Sequence, residues 1–343
     1  MEKFSKWRDA STGVAPFLYP LPASSESLPP ILQILAVPLA GLLGGLRTLL
    51  VVLLLLAQVI LVEGVLRIFV VLPPVYAVLA RATNAGICRL VLLVLGVGWI
   101  KVETVHLRKT GRSPPAMLFE PKKGDLIIGN SSSYIDLLYL AFRHNPTFLL
   151  PVSSPTSQGS PSSRAKVTGW RRVSLLGAIM AAGKLPERSE GGENLEDAIR
   201  KASGPVAVFP EATTSNNRAL LRFAELQAPP AGAKAIPVRT FVLAFKYSPP
   251  TRLSPSLAYP IPSTSLLLPL SHVFSLTSRP VLYSISIRRL HPSESPKISS
   301  APRKEEWDQL AETLATTARL KRVGGLGWED KGAFLEFRKV KGR

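Results

Sequence analysis

IIGNSSSYIDLLYL (127–140) and VAVFPEATTSNNRALLRF (206–223) are the two stretches whose reading decides the fold. Each begins as a short apolar run, turns at a polar corner and continues with apolar residues at helical spacing. That order reads as strand, turn, helix. In the first, Asn130 ends the strand, Ser131–Ser133 make the turn, and a helix over 133–142 carries Asp136 in its first turn. Ordinary capping explains much of this, since Ser and Asn accept from helix N–H groups and Asp suits the positive end of the dipole. In the second, a strand over 205–210 delivers Glu211 to its carboxyl end, and Ala212–Ser215 turn the chain. A helix over 215–226 then places Arg218 and Arg222 four apart on one face. Ligands of open α/β sheets bind at the carboxyl ends of strands, and a helix start rich in Thr and Ser suits a phosphate.

Further strands are expected over 235–245 and 281–290, an amphipathic helix over 303–322, and a Ser/Pro-rich loop over 151–163. The chain divides into a polar N-terminal tail (1–30), an apolar anchoring region (31–100), an α/β core (101–250) and a C-terminal segment (251–343). The end, WEDKGAFLEFRKVKGR, reads as a solvated basic tail.

Of the 343 residues, 46% are hydrophobic and 19% charged, which excludes disorder as the main state. One cysteine, Cys88, excludes a disulfide scaffold. A net charge of +19 favours an acidic partner, and the apolar segment directs that to membrane lipid rather than nucleic acid. No zinc-finger, basic-zipper or RNA-recognition pattern is present in the sequence.

AVPLAGLLGGLRTLLVVLLLLAQVILV (36–62) carries only Arg47 as a charge and is long enough for a spanning helix. Its late start behind Lys3, Lys6 and Arg8 favours a retained anchor over a cleaved signal. Residues 68–100 are interrupted by Pro73, Pro74, Arg81 and Arg89, and read as a second span, a re-entrant helix or an interfacial helix. Basic flanks, with Lys101, Arg108, Lys109 and Arg112 beyond, favour both ends in the cytosol.

Taken in order, Ser131-x4-Asp136, GAIMAAGK (177–184), FPEAT (209–213) and AIPV (235–238) resemble the four motifs of the glycerolipid acyltransferases. That family pattern is His-x4-Asp, a Gly-containing block, Phe-Pro-Glu-Gly-Thr and an apolar-Pro-Val block. The N-terminal MEKFSKWRDASTGVAPFL is similar to a fungal branch that uses oleoyl-CoA and is linked to vacuolar sorting and lipid droplets. The resemblance implies a mixed sheet flanked by helices, with an N-terminal hydrophobic anchor. It implies transfer of an acyl group from acyl-CoA, as co-substrate with no other cofactor, to lysophosphatidic acid, giving phosphatidic acid. It implies the endoplasmic reticulum membrane or lipid droplets as location, with the catalytic domain facing the cytosol. Ser131 and Asp136 would then stand at the reacting centre, Asn130, Glu211 and Thr213 at the acceptor end, and Lys184 or Arg218 near phosphate.

Three departures matter. Ser131 stands where the family has its basic His, and a serine cannot take a proton directly at neutral pH. Ala212 replaces a glycine where the backbone needs positive φ or close approach. The second block lacks the family arginine, a charge that Lys184 or Arg188 could supply. His144, eight residues after Asp136, reads as a helix-end histidine rather than a base. The rival function is therefore a non-catalytic acyltransferase-like protein that binds lipid in vacuolar sorting. No Walker loop, G-x-G-x-x-G, G-x-S-x-G or metal-ligand spacing occurs in the sequence. Asn130-Ser131-Ser132 fits a glycosylation pattern that a cytosolic placement leaves unused.

Overall fold

A computed structural model of the chain describes residues 4–22, 30–107, 117–154, 166–189, 191–227, 236–251, 254–263 and 269–341. Its strands in chain order are β1 (Val97–Val105), β2 (Leu126–Gly129), β3 (Thr147–Ser153), β4 (Val167–Val173), β5 (Glu187–Arg188), β6 (Val206–Val208), β7 (Ala219–Leu220), β8 (Pro237–Val238), β9 (Thr240–Tyr247), β10 (Tyr283–Leu290), β11 (Ile298–Ser299) and β12 (Lys321–Arg322). Its α-helices are α1 (Pro30–Gln58), α2 (Pro73–Val94), α3 (Tyr134–Arg143), α4 (Leu175–Ala181), α5 (Leu195–Lys201), α6 (Leu270–Thr277), α7 (Lys304–Ala318) and α8 (Trp328–Lys341).

The main sheet runs β1-β10-β9-β2-β6-β3-β4, with β5 added to β3. β9, β2, β6 and β3 are parallel neighbours, while β10 and β4 run antiparallel to β9 and β3. The fold is thus mixed α/β. Side chains alternate across it. Ile127, Ala207, Phe241 and Leu243 face a core shared with α2, α3, α4 and α6. Leu126, Ile128, Val206, Val208 and Val242 face a second core shared with α5 and α7. Burial on both faces is why these strands read as nearly unbroken apolar runs.

Two helical stretches, Pro38–Phe69 and Val75–Val94, are long and apolar enough to cross a membrane. They are also one-sided. Val51, Leu55, Gln58 and Val62 are buried at helical spacing, as are Ala80, Asn84, Cys88 and Val91 on α2. Leu42, Leu46, Leu49, Leu53 and Leu56 are exposed. Thr48 bonds Thr277 of α6, and Gln58 donates to Asn84, so α1 lies along the domain over several turns.

Two expectations fail. Residues 215–226 are not helical; they form a turn and the short strand β7, paired with β12. Asn217, at φ +61°, bonds the backbone of β9 through both ends of its amide, so its side chain competes with the helix. Nor are residues 328–341 a solvated tail. They form α8, with Trp328, Lys331 and Phe334 buried. Phe334 meets Trp7 and Phe17 edge-on or tilted, so the N-terminal segment and α8 share a third apolar cluster. Of the expected loop over 151–163, β3 occupies the start and 155–163 lie outside the described residues, as do Arg108, Lys109, Arg112 and Ala235.

Candidate active site

Adjacent parallel strands bring the two corners together, because β2 and β6 end side by side with Ile128 opposite Val208. At the first corner Ser133 caps α3, and the Asp136 carboxylate folds back over the turn in a capping box. Asp136 Oδ2 accepts from the N–H groups of Ser132 (2.8 Å) and Ser133 (2.9 Å). Its Oδ1 accepts from the Tyr247 hydroxyl. Burial pushes the Asp136 pKa up to about 7, against the pull of those three donors.

The second corner holds the first by its backbone. Glu211 Oε1 accepts from Ser131 N–H at 2.7 Å, Oε2 accepts from Leu221 N–H at 2.9 Å, and the Ser131 carbonyl accepts from Ser215 N–H at 2.9 Å. Glu211 is fully buried, and burial raises its pKa to about 8, with the Asp136 charge adding to the rise and Lys331 opposing it. Ala212 sits at φ +57°, a left-handed backbone that favours glycine. Thr213 Oγ1 bonds the carbonyls of Gly183 (3.3 Å) and Lys184 (3.2 Å), tying the turn to the segment after α4. Gly183 is itself at φ +78°, and a Cβ there would approach Thr214 Oγ1 to 3.2 Å.

Between the corners opens a cleft of about 50 Å³ lined by Ser131, Lys184, Thr213 and Thr214 among Leu137, Leu149, Leu150 and Ala178. It shares Leu150, Pro151, Ala181, Lys184 and Ala212 with a neighbouring cavity of about 410 Å³ reaching Arg171. The Ser131 hydroxyl makes no hydrogen bond to a described residue. A hydroxyl and a cation among apolar walls suit a polar reaction on a molecule with an aliphatic part.

Of the expected site residues, Ser131, Lys184 and Thr213 line the cleft. Glu211 and Asp136 lie buried behind it as backbone acceptors. Asn130 bonds Phe245 of β9 through both amide ends, so its buried side chain also serves as a strap. Arg218 is exposed beyond the turn, Arg222 pairs with Glu329, and Arg188 is exposed on β5. Tyr247 and Lys331 escaped the sequence reading, having no motif around them. Lys331 is wholly buried and donates to Thr213 Oγ1 and to the Thr214 carbonyl, both at 2.8 Å. Among the described residues, no histidine lines the cleft. His144 closes the far end of α3, and His272 is bonded by Tyr134 and the Ser256 carbonyl. Burial lowers the pKa of His144 to about 3 and that of His272 to about 4.

No family model matches the chain, and no solved structure matches it. It is similar to a protein of Schizosaccharomyces pombe (strain 972 / ATCC 24843) named "Putative lysophosphatidic acid:oleoyl-CoA acyltransferase". The two are 28% identical over 354 residues, covering 99% of each chain. That similarity, running the whole length of both proteins, supports an acyltransferase family for this chain.

Proposed function

We propose that the protein transfers a fatty acyl group, oleoyl by preference, from acyl-CoA to lysophosphatidic acid to give phosphatidic acid. The observation that carries this reading is the grip of one corner on the other. The turn from Glu211 to Ser215 holds both backbone groups of Ser131, so its hydroxyl opens on an apolar-walled cleft beside Lys184. The name of the fission-yeast relative carries the same two substrates and supports this reading.

In the reaction the acceptor oxygen bonds to the thioester carbonyl carbon and the carbon–sulfur bond breaks. The acceptor proton passes through the Ser131 hydroxyl, which can donate and accept, and ends on the departing thiolate. With no stronger base at that point, turnover is slow. Asp136, Tyr247 and Glu211 position the corner, and Lys184 draws the acceptor phosphate. The exposed leucine face of α1 and α2 rests in the lipid while their buried stripe holds the domain. Such in-plane attachment suits a droplet monolayer as well as the endoplasmic reticulum, with the domain in the cytosol.

Purified protein with labelled oleoyl-CoA and lysophosphatidic acid tests the proposal: labelled phosphatidic acid is expected. Binding of both ligands without product would favour the second reading, a lipid-binding protein of vacuolar sorting. The observation on that side is that, among the described residues, neither imidazole nor carboxylate lines the cleft.

A further inference from the structure

At the opposite end of the sheet, a second cavity of about 660 Å³ lies between α1, α2 and the amino ends of β3 and β6. Thr147 and Pro205, at those strand starts, are on its wall, whereas Ser131 and Glu211 follow the carboxyl ends of β2 and β6. The length of α3, ten residues or about 15 Å, separates the two ends.

Its lining is basic. Arg67, Arg81, Lys122 and Lys123 face Glu63 as the single carboxylate. None of these four cations makes an ion pair with a described residue. Two buried side chains on the wall each carry an atom with no hydrogen-bond partner among the described residues. His144 Nε2 and Gln58 Oε1 have no hydrogen bond, although the residues are 8% and 2% exposed. Buried polar atoms are seldom left so. The rest of the Gln58 amide is accounted for: Gln58 Nε2 donates to Asn84 Oδ1, and Asn84 Nδ2 to Asn145 Oδ1, a chain that fixes both helices to the turn before β3. Gln58 Oε1 therefore needs a donor, and the imidazole can donate to an anion.

We propose that this cavity is a second, non-catalytic site for a phosphate monoester. Its anionic oxygens meet the four cations and His144, and its remaining P–OH, or a neighbouring hydroxyl, donates to Gln58. The cavity opens between the two helices whose outer faces are apolar, so the headgroup of a membrane lipid can reach it without leaving the surface. A soluble phosphate monoester carries the same chemistry. The inference does not depend on acyl transfer.

The test uses the full chain and three probes. These are phosphatidylcholine vesicles containing phosphatidic acid, the same vesicles with phosphatidylserine at equal charge, and soluble glycerol 3-phosphate. Phosphatidylserine is a phosphodiester and has no P–OH to offer. Phosphatidic acid vesicles are expected to bind more tightly. The triple variant Arg81→Gln, Lys122→Gln, Lys123→Gln should lose about tenfold or more of that affinity. Gln58→Leu should abolish the preference over phosphatidylserine, and Arg200→Gln, exposed on α5 and outside both cavities, should retain it. Loss of glycerol 3-phosphate binding in the triple variant would add the soluble source; loss on vesicles alone would assign the site to lipid. Equal binding of the two anionic vesicles by the native chain, or a preference untouched by both cavity variants, would overturn the proposal. Circular dichroism separates misfolding of Gln58→Leu from a true loss, because the surface triple variant keeps the core.

Discussion

Lys331 Nζ donates to Thr213 Oγ1 at 2.8 Å, joining residues 118 positions apart. The last helix of the chain thereby supports the turn that floors the cleft, because Thr213 Oγ1 in turn bonds the Lys184 carbonyl. Burial pulls the Lys331 pKa well down, and the Glu211 carboxylate partly restores it. The geometry makes α8 part of the site without placing it in the cleft.

Lys331→Met removes three hydrogen bonds and leaves Thr213, Thr214 and Glu211 without that cation. Losing one member of a buried polar set costs about 2–4 kcal/mol. Urea unfolding should show that loss, and oleoyl transfer should fall with it. A variant within about 0.5 kcal/mol of the native chain would mean that the lysine contributes nothing to the turn.

Glu211→Gln keeps the shape but not the acceptors. Both carboxylate oxygens accept backbone N–H groups, and an amide offers one oxygen and one NH₂. One N–H must then face another donor. Transfer should drop at least about tenfold, equal to roughly 1.4 kcal/mol of barrier, measured as initial rate with saturating oleoyl-CoA. An unchanged rate would reduce the Glu211 corner to a structural turn.

Ser131→His should raise turnover only slightly or leave it unchanged, because Asp136 Oδ1 is already taken by Tyr247. Adding Tyr247→Phe releases that oxygen for the new imidazole. The double variant should exceed the product of the two single effects, since coupled residues are not additive. Strict additivity of the two rates in a steady-state cycle would dissolve the link between Ser131 and Asp136.

Asp136 also sets a pH dependence. Its native pKa is raised to about 7 from 3.8, so between those values the folded state holds the proton more often than the unfolded state does. The group's contribution is complete below the lower value and is lost as pH rises through the higher one. Relative to Asp136→Asn, the native chain should lose stability as pH goes from about 5 to about 8, followed by urea midpoints. His144 and His272, shifted the opposite way, are present in both proteins and cancel, whereas Glu211, whose rise includes the Asp136 charge, is part of the same coupled difference. A constant difference across that range would remove the buried carboxyl from the account. Asp136→Asn should also abolish acyl transfer.

On α1, Leu49 and Leu53 are exposed one turn apart. Leu49→Lys with Leu53→Lys should release the protein from vesicles, since each lysine costs about 2.5–3.5 kcal/mol at the apolar centre of a bilayer and less at its edge. Thermal stability in detergent should hardly change. Flotation unaffected by both lysines would mean that this face is not the one in contact with lipid.

Much of the fold was legible locally. β2, β6 and β10 fall within the expected runs, and Ser133 and Asp136 cap α3 as their types predict. The helix expected over 215–226 failed because Asn217 is bound by Tyr247 and Phe245, partners about thirty positions away that no local pattern can supply. The tail was misjudged for a similar reason. Lys331 is a basic residue in a basic segment until the three oxygens that receive it are seen.

The sequence by itself determined the alternation of strands and helices, the apolar segment available to a membrane, the departure at Ser131 and the order of the motif blocks. Those properties depend on residue type and spacing along the chain. Only the tertiary structure decided that Asp136 is engaged by Tyr247, that Glu211 grips the backbone of Ser131, and that α8 supports the cleft from behind. It also decided which buried atoms lack a partner, as at Gln58 and His144. A hydrogen bond or a shifted pKa belongs to two or more groups brought together by packing, and no single stretch of sequence contains both sides of it.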